Sequence, residues 1–244
     1  MNLLEVPSRV SFQSLKTLRL KLVAYPDEES FVRLISSSPV LGDLLLQNPV
    51  GDNIETFTIN VPSLHRLTIT RDEKSYLLFV IHCHSLKELD IENDDGEVNL
   101  IGDMRELVKA NIWTCDSNVF KSLTFVKTLR LTVEDYKAPY HFGTIFSQLV
   151  CLEFRGQCYN WWDLLLNVLQ HSPRLQILTL EDCYREQVWG DREIWIQPSC
   201  APECLYHLKT FEWIEYVGSP IQKELICKSI KDTNKTKLGL TPSL

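Results

Sequence analysis

Apolar residues recur along this chain in the pattern apolar-x-x-apolar-x-apolar, nine times over, with polar residues in between. The anchors are Leu15/Leu18/Leu20, Leu41/Leu44/Leu46, Leu64/Leu67/Ile69, Leu86/Leu89/Ile91, Leu107/Ala110/Ile112, Val126/Leu129/Leu131, Leu149/Leu152/Phe154, Leu175/Leu178/Leu180 and Leu208/Phe211/Trp213. Successive first positions lie 26, 23, 22, 21, 19, 23, 26 and 33 residues apart. Strand side chains alternate sides, so the closing apolar-x-apolar pair of each unit predicts a short strand with both apolar side chains on one face. The first apolar residue fills the turn into that strand. One unit cannot hide its own apolar face, so stacked units should share a core and leave the intervening residues in solvent as a parallel sheet surface.

The segments that return the chain between strands are of two kinds. SFVRLISSSP (30–39) and WWDLLLNVLQHSP (161–173) have helical periodicity and close on Ser-Pro, which ends a helix. A shift of 134 residues maps Leu15, Pro39 and Leu41 onto Leu149, Pro173 and Leu175, so both halves open with the same helix-bearing unit. The shorter units have no room for a helix. ETFTINVP (55–62) and SYLLFVIHC (75–83) alternate or run apolar as extended segments do. Charged and turn-forming stretches, YPDEES (25–30), NPVGDN (48–53), RDEKS (71–75), ENDDGE (92–97) and EDYKAPYH (134–141), are predicted loops. Unit length and anchor pattern are those of leucine-rich repeats, except for the last step of 33 residues, which announces a different module. The expected fold is an α/β leucine-rich-repeat solenoid of about nine irregular repeats, its parallel sheet on the concave face.

With 44% apolar residues in 244, the chain can bury a substantial core. A formal charge of −7 offers no basic footprint for a phosphate backbone, so nucleic acid is not an expected partner. No apolar run approaches the roughly 18 residues of a spanning helix, and the start MNLLEVPSRVSF lacks the layout of a secretory signal. No membrane partner and an intracellular location, cytoplasm or nucleus, are therefore expected. The eight cysteines are spread through a repeat domain and are expected to be thiols, mostly small buried residues, rather than bridges.

Candidate chemistry is sparse. Cys200, Cys204 and His207 have tolerable spacing for zinc, but a structural site needs four ligands, so no metal and no cofactor are expected. His82 and His84 share one face of an extended segment and Cys83 takes the other, which suits packing at a loop edge. There is no G-x-S-x-G, no G-x-x-x-x-G-K and no H-E-x-x-H, and the expectation is that the chain is not an enzyme.

What remains is the sheet surface. Between and beyond the core positions, outward-facing residues include Arg66, Thr68, Glu88, Asp90, Glu92, Asn111, Trp113 and Arg130. The strand around Leu89 is acidic throughout, with Glu88, Asp90 and Glu92 in one row, and an exposed Trp113 stands beside it. Exposed Trp next to charge is typical of an interface anchor. These eight residues form the candidate protein-binding face, for a target the sequence does not name. A small-molecule or peptide sensor on the same face, or a product without retained activity, are the competing readings.

WIQPSCAPECLYHLKTFEWIEYVG (195–218) resembles the FBD module that follows leucine-rich repeats in plant F-box proteins, through Trp195, Pro198, Pro202, Cys204, Leu205, Leu208, Phe211 and Gly218. Residues 6–46 are similar to the first repeat of the same family, including Ser-Pro-x-Leu after the helix. The change of texture after the eighth repeat gives repeats over 1–183, a charged linker over 184–194 and a patternless, frayed tail over 233–244, and the resemblance makes 195–232 an FBD module with those motif residues in a structural role. It also implies the substrate-binding part of a ubiquitin-ligase receptor. Met1 lies just before the first repeat, so the F-box that docks family members on the cullin adaptor is expected to be absent, and no adaptor binding is expected. With only a short, apolar segment ahead of Leu15, the first repeat is expected to lack a polar cap.

Overall fold

Each of the nine apolar pairs lies in a strand of the computed structural model, which describes residues 3–47, 49, 54–71, 77–92, 97–102, 104–113, 117–133, 144–156, 161–182, 207–216 and 237–242. The chain divides into two compact units, Met1–Lys127 and Thr128–Leu244. Among the described residues no helix is long and apolar enough to cross a membrane.

In the first unit, β1 (Thr17–Lys21), β2 (Asp43–Gln47), β4 (Arg66–Thr70), β6 (Glu88–Glu92) and β8 (Lys109–Trp113) pair in that order, all parallel. Their register lines up the anchors: Leu18, Leu44, Leu67, Leu89 and Ala110 form one ladder, Leu20, Leu46, Ile69, Ile91 and Ile112 the next. The interposed β3 (Thr56–Ile59), β5 (Leu78–Ile81) and β7 (Glu97–Leu100) make a second, three-stranded parallel sheet. These are the return segments of the short units. Two were legible as extended from Phe57, Ile59 and the run around Phe79; β7 takes up Glu97, which the sequence places in a loop.

The repeat rests on a main-chain relay as well as on side chains. In eight units the first anchor's N–H donates to the carbonyl three residues earlier, from Leu15 to Phe12 through Leu175 to Ser172, at 3.0–3.2 Å. The next two N–H groups then share one carbonyl of the preceding unit: Lys16 O accepts from Gly42 and Asp43, Gly42 O from His65 and Arg66, His65 O from Lys87 and Glu88. In seven of these eight units the residue three before the first anchor is turned inward: Ser38, Val61, Cys83, Met104, Leu123, Phe146 and Ser172 are all buried there, while Phe12 of the first unit is exposed. Cys83 therefore fills a repeat position, its Sγ donating to the Ile59 carbonyl at 3.4 Å. Burial pushes its thiol pKa up, which keeps it protonated and unreactive.

Helix α1 (Glu28–Ser36) begins where Asp27, in extended conformation, accepts the Ser30 N–H at 2.7 Å. Hydrogen bonds from the Ser30 hydroxyl and N–H hold the Asp27 carboxyl below its usual range. Glu28 and Glu29, expected in a loop, thus open the first helical turn with Ser30, and Tyr25 before them is buried. The apolar face of α1 presents Phe31, Leu34 and Ile35 inward. Phe31 and Tyr25 meet Phe57 of β3 edge-on, at 4.9 and 6.3 Å between centroids, and Phe57 stacks on Phe79 of β5 at 5.6 Å. Late in this unit, a 3₁₀ helix (Ser117–Ser122) takes the place of a return strand.

The second unit holds β9 (Thr128–Val133), β10 (Cys151–Gly156), β11 (Ile177–Asp182), β12 (Thr210–Tyr216) and β13 (Lys237–Pro242), again parallel and in chain order. Helix α2 (Trp161–Gln170) returns the chain between β10 and β11, as α1 does between β1 and β2. The anchors Leu129, Leu152, Leu178 and Phe211 align, as do Leu131, Phe154, Leu180 and Trp213. β13 corrects the expectation of a frayed tail: Leu238 and Leu240 continue these two ladders opposite Phe211 and Trp213. The three-anchor pattern passes over this strand because Lys235 occupies its first position.

Candidate protein-binding face

Inward side chains are spent on the core, so the chemistry of each sheet lies in its outward rows. Across β2, β4, β6 and β8 the register sets Asp43, Arg66, Glu88 and Lys109 in one row, and Leu45, Thr68, Asp90 and Asn111 in the next. Gln47, Thr70 and Glu92 form a third. All of these side chains are half-buried or exposed, as the alternation of anchors requires.

The first row alternates in sign. Arg66 grips Asp43 with both ends of its fork, Nε to Oδ1 at 2.6 Å and Nη2 to Oδ2 at 3.0 Å. That hydrogen bonding holds the Asp43 carboxyl below its usual range. Arg66 is therefore a fixed part of the surface rather than a free cation. Asp43 was not among the sequence candidates, although the alternation of charge one residue before each inner anchor is visible in the sequence.

The acidic strand is placed as expected. Glu88 and Glu92 are exposed and Asp90 half-buried on the same side of β6. Asn111 of β8 donates its amide to Asp90 at 2.7 Å, which fixes that carboxylate's orientation without cancelling its charge. Among the described residues no cation forms an ion pair with Asp90 or Glu92.

Trp113 departs from expectation. It is half-buried rather than exposed, and its indole Nε1 is shut off from solvent with no hydrogen-bond partner among the described residues. Half-burial means the ring rests against its neighbours, so part of its apolar area already stabilises the fold. Removing it tests the fold together with the surface. Arg130 belongs to the second unit, where its guanidinium pairs with Glu153 of β10 at 2.6 Å. There Arg155 pairs likewise with Glu181 at 2.7 Å, and Thr132, though on an outward position, is buried. The outward charges of that unit are thus largely matched internally; those of β6 in the first unit are not.

The remaining sequence candidates fall as follows. His82 and His84 lie edge to face, 4.7 Å between ring centroids, on the side opposite buried Cys83. His84 covers Gly102, which has φ +86°, and a Cβ there would come within 2.9 Å of its Cε1. That is a packing role. His207 is exposed, while Cys200 and Cys204 lie outside the described residues; among those described, no cluster of metal-ligating side chains occurs. Of the FBD motif, Leu208 is buried just before β12 and Phe211 within it, and Trp195, Pro198, Pro202, Cys204, Leu205 and Gly218 lie outside the described residues.

Known proteins supply a context for this geometry. A leucine-rich-repeat family model matches residues 14–39 and an FBD family model matches residues 197–227. Two F-box/FBD/LRR-repeat proteins of Arabidopsis thaliana are 39% and 40% identical over 95% and 98% of the chain. A putative FBD-associated F-box protein of the same plant is 35% identical over 97% of it. The chain spans only 56–58% of the length of these three relatives. No solved structure matches it. From its first repeat to its FBD segment, the chain is similar to plant F-box/FBD/LRR-repeat proteins.

Proposed function

We propose that this chain is a non-catalytic protein-recognition module whose target docks on the outward rows of β4, β6 and β8. The carrying observation is the contrast in charge matching. Arg130, Arg155 and Arg66 are each held by a carboxylate, whereas Asp90 and Glu92 stand on a half-open sheet surface with no cation paired to them among the described residues. A rigid parallel sheet holds these groups at fixed spacing, which suits selection of a complementary basic surface more than it suits catalysis. Similarity to F-box/FBD/LRR-repeat proteins supports a target-binding role within ubiquitin-ligase assemblies, with adaptor docking left to an F-box segment.

The test is affinity purification from native plant tissue followed by mass spectrometry, with the chain itself and with Asp90→Lys/Glu92→Lys as parallel baits. Reversing both charges should reduce recovery of the specific partner about tenfold or more, because like charges then face each other across the interface. The cost to the fold should stay near 1 kcal/mol, the worth of the Asp90–Asn111 hydrogen bond. Equal recovery by both baits would refute the proposed face.

A further inference from the structure

A line of cations runs along the strand entrances in the interior of the first unit. The carbonyl relay continues there: Lys87 O accepts from Val108 and Lys109, and Val108 O from Lys127 at 2.8 Å. It sets the residues that follow successive first anchors, His65, Lys87, Val108 and Lys127, side by side at the strand spacing of about 4.8 Å. All four are exposed, and no carboxylate stands in the line. Among the described residues no carboxylate forms an ion pair with Lys87 or Lys127, whereas on the sheet beside them Asp43 holds Arg66.

The neighbours of this line indicate what fits it. On the sheet side the next row alternates in sign through Asp43, Arg66, Glu88 and Lys109, and on the other side Glu106 stands one residue before Leu107. A broad acidic surface, a second copy included, would meet Glu88 and Glu106 as well as the lysines; one extended chain laid along the line avoids them. Lys87 and Lys127 are two steps apart, about 10 Å, with Val108 between them. Phe125, two residues before Lys127, is exposed as well. Alternate residues of an extended chain share a side, so acid-x-apolar-x-acid places two carboxylates about 13 Å apart around one apolar side chain, within reach of flexible lysine ammonium groups. Nucleic acid, charged at every residue, has no side chain to set on Val108 and Phe125.

We propose that the line through His65, Lys87, Val108 and Lys127 is a docking track for an extended acidic segment of a partner protein, with one apolar residue set between its acids. Lys87 and Lys127 meet the carboxylates, and Val108 and Phe125 cover the apolar side chain. The track lies ahead of the strands, apart from Asp90 and Glu92, and does not rest on the role of those two residues.

The fluorescein-labelled peptide EGETLTEGE carries this pattern. Anisotropy titration against the whole chain at low salt should give saturable binding, although the formal charge of −7 repels the peptide from the molecule as a whole. Lys87→Glu/Lys127→Glu should weaken binding about tenfold or more, and Lys87→Gln/Lys127→Gln by less. Arg19→Glu/Lys21→Glu makes the same change in net charge at exposed positions of β1 and should weaken it about twofold or less. Serine in place of the peptide's leucine should cost about threefold or more against the wild type and almost nothing against Val108→Ser. The substituted side chains are exposed, so circular dichroism should report an unaltered fold for each variant. Any of four results would overturn the proposal: no saturation at millimolar peptide, equal weakening by the β1 reversal, as expected of net charge alone, equal binding of an oligothymidylate of matched charge, or self-association of the chain that Lys87→Glu/Lys127→Glu abolishes.

Discussion

Phe57→Ala should destabilise the first unit by about 3–5 kcal/mol, the usual range for deleting a buried aromatic ring. Phe57 is fully buried and central: Phe31 and Tyr25 meet it edge-on and Phe79 stacks on it. It therefore joins helix α1 to the sheet of β3, β5 and β7, and such aromatic pairs add about 0.5–1.5 kcal/mol each beyond buried area. Phe57→Leu, which keeps most of the volume, should cost markedly less. Urea denaturation followed by circular dichroism reads both. A loss below about 1 kcal/mol for the alanine variant would mean that the cluster does not couple helix and sheet.

The second large effect is expected at Gly156, the last residue of β10, which faces inward against the indole of Trp161. A Cβ at this position would overlap Cγ and Cδ2 of that ring and lie 2.8 Å from Cδ1. Trp161 is 2% exposed and packs on Phe154 at 5.8 Å, so the ring has little room to withdraw. Gly156→Ala should cost about 1–3 kcal/mol through overpacking, and Gly156→Val more. Shrinking the ring in the same chain should relieve the strain, so Gly156→Ala/Trp161→Leu should lose less than the sum of the single variants. Strict additivity would show that the two residues do not share this contact.

Much of the fold was legible because one rule repeats. An apolar pair two apart, with a third apolar residue three before it, forces a strand with one buried face, and each of the nine triplets identified a strand. The helices at the two long returns and the extended segments between them followed from period and length. What escaped the rule did so for local reasons. β13 has the pair Leu238/Leu240 but Lys235 ahead of it, and partnership with β12 decides its state. The inward residue three before the first anchor, found in seven units, was missed because Ser38, Cys83 and Ser172 are not strongly apolar, yet all three are buried at that turn. On the candidate face, alternation placed Glu88, Asp90 and Glu92 correctly. It could not report the burial of Trp113, or that Asp43 holds Arg66, because those depend on lateral neighbours that only the register reveals.

The binding face is tested most directly by site-specific photo-crosslinking in native plant extract. A photoreactive residue is placed in turn at Thr68, Asp90 and Asn111 on the outward rows, and at exposed control positions away from them, Glu55 and Glu106. Recognition through β4, β6 and β8 predicts that one and the same protein is captured from the three sheet positions and from neither control. Capture of that protein from Glu55 or Glu106, with none from the sheet positions, would contradict it.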